Sequence, residues 1–273
     1  MGDEMEKEAE LTMKILGISE NDKGNYNRID KNGFKINECK NKNNKYILVL
    51  GINPAGDENS AVYEQNYLYC IPTITAKKEE KRFYNKYFKP IYDLFDEVTE
   101  QKIKWDWCNL ENIEDIKNKD SQNSKKIENF YKESHEKEFT ILSGDLFYYH
   151  EANQETFKNN FKNELHKIDK NKMKEILEIH IKKILNEGEL KLIYINNAYA
   201  SDLIYKNIFA EGEETGKESQ KKYKFEYKNR VYSIPILFGC MLSGKRAMDK
   251  YSKARLKKEI KEILEKKKNK WLL

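Results

Sequence analysis

Four short stretches carry the side chains with which this sequence could do chemistry. The first is Gly51-Ile52-Asn53-Pro54-Ala55-Gly56, with Asp57 and Glu58 just beyond. The Asn53 amide can orient a water molecule but cannot deprotonate it, which makes Asp57, with Glu58 beside it, the nearest carboxylate for that step. The second is Ser143-Gly144-Asp145, running on into Leu146-Phe147-Tyr148-Tyr149-His150-Glu151. A carboxylate beside clustered rings can read a polar edge and stack a planar ligand, with Tyr148, Tyr149 and His150 as the stacking candidates. Alternation along the same segment equally suits Phe147 and Tyr149 in the core, with Tyr148 and His150 facing water. The third is Asn196-Asn197, and the fourth is Gly239-Cys240-Met241-Leu242-Ser243-Gly244-Lys245-Arg246. Ahead of a helix, Ser243, Gly244, Lys245 and Arg246 suit a phosphate or another anion.

Other chemistries fit less well. The fourth stretch has the G-x-x-x-x-G-K spacing of a phosphate loop, but Arg246 stands where the magnesium-holding Ser or Thr belongs, and no later strand offers a metal-binding Asp. Ser143 and Ser201-Asp202 lack a Gly-x-Ser-x-Gly elbow and a histidine placed to complete a triad. His180 falls on the apolar stripe of a helix and reads as a packing residue, while His135 and His166 sit in charged surroundings. Cys39, Cys70, Cys108 and Cys240 form no C-x-x-C pair, and the four histidines have no zinc-ligand spacing, so neither a metal nor a cofactor is expected.

What places the four stretches is a run of strands and helices. Tyr46-Ile47-Leu48-Val49-Leu50 is an uninterrupted apolar run ending at Gly51, as in a strand buried on both faces. Further strands are predicted at 139–142, 190–195 and 232–238, each ending in one of the polar or Gly-bearing stretches. Helices are predicted at 4–17, at 79–98 with Pro90 as a boundary or kink, at 170–186, and after position 250. Residues 18–45 read as loop with a short hairpin. Segments 101–137 and 210–228 read as surface insertions, the second as a hairpin arm leading to Lys224–Lys228. Strands alternating with helices imply a three-layer α/β sandwich around a mainly parallel four-stranded sheet. The whole chain, 1–273, is expected to be one domain, with 1–45 as an N-terminal helix and loop extension. In such sheets ligands bind beyond the carboxyl ends of the strands. A single Gly- or Asn-rich turn needs no function, but four converging turns mark a site.

The 273 residues can bury a core without staples, and 18 Tyr with 12 Phe supply it despite the high charge content. Net charge is +5, concentrated at one end: positions 245–270 hold twelve Lys or Arg against four Asp or Glu, leaving the remainder slightly acidic. A local positive field suits phosphate-bearing partners, and a solvated helix face would produce the same count. No apolar signal segment or membrane-length run occurs, so the expectation is a cytoplasmic protein with free thiols and no membrane partner.

Gly51-Ile52-Asn53-Pro54, directly after an apolar first strand, resembles the first motif of the uracil-DNA glycosylase superfamily, whose mismatch-specific branch carries the same run. The resemblance implies a four-stranded parallel sheet flanked by helices. It also implies a DNA-repair hydrolase that cuts the N-glycosidic bond of an extruded base. On this likeness Asn53 positions the attacking water and Asp145 is the counterpart of the Asn that reads the base edge. The superfamily's second motif, His-Pro-Ser or Asn-Pro-Ser, corresponds to Met241-Leu242-Ser243-Gly244, where only Ser243 matches. Met241 replaces the donor that would stabilise developing charge. Two readings therefore stand. One is a catalyst in which Asn53 and Asp57 handle the water, while Gly51, Ile52, Pro54, Asp145, Tyr148, Asn196, Ser243, Gly244, Lys245 and Arg246 hold DNA or a nucleotide. The other is a non-catalytic relative whose pocket binds a small ligand or protein partner.

Overall fold

The computed structural model describes residues 6–31, 33, 34, 36, 43–52, 89–99, 138–151, 153–209, 219–242 and 247–266. Its centre is a five-stranded mixed sheet. The strands are β1 (Lys45–Gly51), β2 (Thr140–Asp145), β3 (Glu189–Ile195), β4 (Gln220–Tyr227) and β5 (Arg230–Phe238), in the order β2-β1-β3-β5-β4. The pairs β1–β2, β1–β3 and β3–β5 are parallel. Along β1, Tyr46, Leu48 and Leu50 enter one core cluster and Ile47 and Val49 the other, so the continuous apolar run fills both faces.

Helices α1 (Lys7–Leu16), α4 (Gln154–Asn160), α5 (Lys162–His166), α6 (Lys170–Glu187) and α7 (Ala198–Ile204, continuing as a π-helical turn through Tyr205–Phe209) cover the first face. The short helix α2 (Lys23–Tyr26) lies between α1 and β1 in the chain. The second face is covered by α3 (Lys89–Thr99) and α8 (Lys250–Lys266), through Ile91, Leu94, Phe95, Leu256, Ile260 and Ile263. The long helix α6 forms because Met173, Ile176, Leu177, Ile181 and Ile184 recur at helical spacing, and Asp169 caps it by accepting from the Lys172 amide at 2.9 Å. Gly17 ends α1 in the left-handed region at φ 68°, where a Cβ would be strained.

One irregularity sets how β3 shares its side chains. Between Tyr46 and Ile47 the register with β3 slips, so that Tyr46 pairs with Leu190 and Ile47 with Leu192. The extra residue, Lys191, turns what would be same-side residues to opposite cores: Leu190 joins the first cluster and Leu192 the second. Lys191 itself pairs with Glu189.

Two expectations need correction. The sheet has five strands rather than four; four of them are parallel, as expected, and β4 makes it mixed by running antiparallel to β5. The expected excursion 210–228 contains strand β4, antiparallel to β5, with Lys221, Tyr223 and Phe225 buried; positions 210–218 lie outside the described residues. Its alternation of apolar with charged side chains is the pattern of an edge strand covered on one face. Of the expected loop 18–45, the described residues form α2 and then place Ile29 in an antiparallel bridge to Tyr149; positions 32, 35 and 37–42 lie outside the described residues. The region 101–137 lies outside the described residues. No described helix is long and apolar enough to cross a membrane.

Candidate functional site at the carboxyl edge of the sheet

The strand order creates a topological switch point. From β1 the chain leaves toward β2 on one side, whereas from β3 it leaves toward β5 on the other. The neighbouring β1 and β3 therefore connect to strands on opposite sides, the arrangement at which open α/β sheets bind ligands beyond their carboxyl ends. Those ends are Gly51-Ile52 and Asn196, two of the stretches that drew attention in the sequence.

Register aligns the site further. Gly51 pairs with Asp145, Leu50 with Ile195 and Ile195 with Phe238. Asp145, Gly51, Asn196 and Gly239 thus occupy one rung across the four parallel strands. Backbone bonds hold it: Asn196 N donates to Leu50 O at 2.8 Å, Gly239 N to Ile195 O at 3.1 Å and Leu146 N to Gly51 O at 3.3 Å. With strands about 4.8 Å apart, Asp145 and Asn196 are separated by roughly 10 Å, a span one planar ring can bridge through two hydrogen bonds.

Glycine makes room for a close neighbour at both Gly positions. A Cβ on Gly51 would collide with Asp145 Oδ1, and one on Gly239 would lie 2.7 Å from the Tyr194 ring. Tyr194 in turn donates to Cys240 O at 3.0 Å, and Ser201 Oγ donates to Gly239 O at 2.9 Å, fixing the end of β5. Ser201 is thereby a structural clamp. Asn197, the neighbour of Asn196, caps α7 by accepting from Tyr199 and Ala200 amides at 2.9 and 3.0 Å. The two adjacent asparagines divide the work: Asn197 is committed to the helix, whereas the buried Asn196 Oδ1 has no hydrogen-bond partner among the described residues.

Asp145 is half-buried, and no hydrogen bond or ion pair among the described residues engages its carboxylate. Burial, and secondarily the Asp30 carboxylate, push it up to about 7, even though part of the residue still meets solvent. Asp30, missed in the sequence, arrives because segment 28–30 runs beside 148–150. Asp30 N donates to Tyr148 O at 2.9 Å and His150 N to Arg28 O at 2.7 Å. His150 Nε2 lies 3.9 Å from Asp30 Oδ2. No local pattern around Asp30 could have announced this; only the long-range pairing does.

Tyr148 and His150 do not face water, contrary to the alternation reading. Tyr148 is 3 % exposed and His150 4 %, as deep as Phe147 and Tyr149. The Tyr148 ring stacks on His180 at a 5.8 Å centroid separation instead of presenting a face at the surface. His180 Nδ1 lies 2.9 Å from Ile176 O, which can only accept, so Nδ1 carries the proton and Nε2 accepts from Tyr148 Oη at 3.0 Å. Burial holds His180 below its ordinary value, consistent with a neutral core histidine, as its helical position indicated.

Among the expected site residues, Gly51, Ile52, Asp145 and Asn196 come together at the switch point, and Tyr148 packs behind them. Asn53, Pro54, Asp57, Ser243, Gly244, Lys245 and Arg246 lie outside the described residues. The residues flanking 243–246 are joined, since Met248 N donates to Met241 O at 2.9 Å. Among the described residues no cluster of His, Cys, Asp and Glu is arranged to hold a metal ion. No protein-family model matches the chain, and searches of curated proteins and of solved structures found no match.

Proposed function

We propose that the rung Asp145–Gly51–Asn196–Gly239 seats the base of a nucleic acid or nucleotide, in a uracil-DNA-glycosylase-like protein that hydrolyses the N-glycosidic bond of a modified base. The observation that carries this reading is a pair of polar groups that no described residue engages, the half-buried Asp145 carboxyl and the buried Asn196 Oδ1, flanking side-chain-free Gly51 at the switch point. Unsatisfied polar groups are costly inside a protein, and a ligand edge with complementary donors and acceptors would satisfy both. The four parallel strands within the mixed sheet, and the Gly-Ile-Asn-Pro run that begins on the same rung, agree with the resemblance. Asn53 would position water, Asp57 would draw its proton, and Ser243, Lys245 and Arg246 would hold phosphate.

The second reading, a non-catalytic binder of the same fold, is favoured by Met241, which offers no side-chain donor where the superfamily has one. A glycosylase screen over oligonucleotides bearing uracil, hypoxanthine, alkylated and hypermodified bases separates the two, run beside salt-dependent binding measurements. The catalytic reading expects abasic product with at least one base, and a loss of about 100-fold or more in Asn53→Ala. Binding without product across the series selects the non-catalytic reading. Binding that does not weaken with salt removes the phosphate-holding role of Ser243, Lys245 and Arg246.

A further inference from the structure

We infer that the outer edge of β4 pairs antiparallel with β4 of a second copy of this chain, joining two sheets across a two-fold axis centred on Phe225. This edge lies at the end of the sheet away from β2, and its pairing is independent of the base-seating role of the rung.

Among the described residues β4 is the last strand of the sheet. Lys228 and Asn229, at φ 50° and 60°, form the two-residue turn that joins it to β5, which makes Tyr227 and Arg230 the closing hydrogen-bonded pair. Bonding alternates from there. Phe225–Tyr232 and Tyr223–Ile234 exchange bonds, whereas the backbone N–H and C=O groups of Lys222, Lys224 and Glu226 point away from β5. Pro235 has no N–H to give, and the ladder between β3 and β5 starts only at Ile236, so the hairpin runs on as a two-stranded ribbon. Helix α6 lies along one face of that ribbon. Tyr223 Oη donates to Glu178 at 2.8 Å, Lys182 Nζ lies 5.6 Å from the Phe225 ring centre, and Tyr227 Oη donates to Asn186 at 2.9 Å. On the other face Lys222, Lys224 and Glu226 are exposed.

Lysines on an edge strand ordinarily oppose such pairing. Here the outcome depends on register. An axis centred on Tyr223 sets Lys222 against Lys224, one centred on Lys224 sets that residue against itself, and one centred on Glu226 does the same to the carboxylate. Centred on Phe225, the axis sets Lys224 against Glu226 twice. In that register Phe225 faces Phe225 and Tyr223 faces Tyr227 on the α6 side, continuing a ladder of rings already 6.3 and 5.9 Å apart. Every cross-strand pair from 223 to 227 is then aromatic or oppositely charged, the pairs that favour a sheet. Lys222 meets Lys228 at the ends, where Lys228 is held by Asn186 Oδ1 at 2.7 Å. A contact of this size belongs to weak, reversible association.

Sedimentation velocity of the full chain over a rising concentration series tests this. Lys224→Glu, Glu226→Lys and the charge-exchanged double variant Lys224→Glu/Glu226→Lys are run beside wild type. Both positions are exposed, so the variants should keep the wild-type melting temperature. Wild type should pass from monomer to dimer in the micromolar range. Each single variant should weaken dimerisation by about tenfold or more, since like charges then face each other twice, and the double variant should restore it. A wild type that stays monomeric, a dimer that either single variant leaves unchanged, or a double variant as weak as the singles overturns the inference.

Discussion

Asp145 and His180 are titratable groups of the same core region, shifted in opposite directions with opposite consequences for stability. The folded chain keeps a proton on Asp145 up to about pH 7, whereas the unfolded chain releases it near 3.8. Stability is therefore lost as pH rises through that window and is level above it. A shift of about three units corresponds to about 4 kcal/mol, reduced to about 2 kcal/mol because water still reaches the residue. Asp145→Asn should accordingly be about 2 kcal/mol more stable than wild type at pH 8, with the gap closing toward pH 4, as read by urea unfolding. A gap independent of pH would contradict the placement of the carboxyl. His180 runs the other way: its folded value is lowered, so stability is lost as pH falls below about 6.5. Tyr148→Phe leaves His180 Nε2 without the hydroxyl that donates to it at 3.0 Å, and should cost about 1–3 kcal/mol at neutral pH in the same measurement.

At the scale of elements, Gly51 is the joint between β1 and β2. Gly51→Ala drives a methyl group into the Asp145 carboxylate, so that the rung must open or the Asp145 side chain must swing away. The expected outcome is a lower melting temperature together with a displaced Asp145 carboxyl resonance; an unchanged resonance would contradict the close approach. The four parallel strands were legible in the sequence because each is a dense apolar run, and α6 because five apolar residues repeat along its length. Strand β4 was not, since Lys222, Lys224 and Glu226 face outward and its apolar residues alternate with charge, as on an edge. Helices α4, α5 and α7 are too short for a periodic signal, and the caps Asn153 and Asn197 that start two of them are seen only in the structure. The strand-end stretches were readable as the polar ends of the parallel strands. That Asp145 and Asn196 share a rung with Gly51 was not, because only register decides it.

For the whole molecule, the exposed positive charge of α8 is where the proposed nucleic-acid binding would draw on the basic end of the sequence. On α8, Lys250, Arg255 and Lys258 are exposed, with Tyr251 79 % exposed among them, while Lys257 is engaged by Glu97 of α3. Replacing Lys250, Arg255 and Lys258 with Glu should weaken oligonucleotide binding and flatten its salt dependence. It should leave the folded stability within about 0.5 kcal/mol, since surface positions contribute little. An unchanged salt slope would place the phosphate contacts elsewhere. Under the proposed function the rung and α8 would carry separable roles, one reading a base edge and the other gathering the backbone. Amide chemical-shift mapping of the 15N-labelled chain with a uracil-containing single-stranded oligonucleotide reads both at once. The shifts should centre on Gly51, Asp145, Asn196 and Gly239; shifts confined to α8, with the rung unmoved, would contradict a ligand site at the carboxyl edge of the sheet.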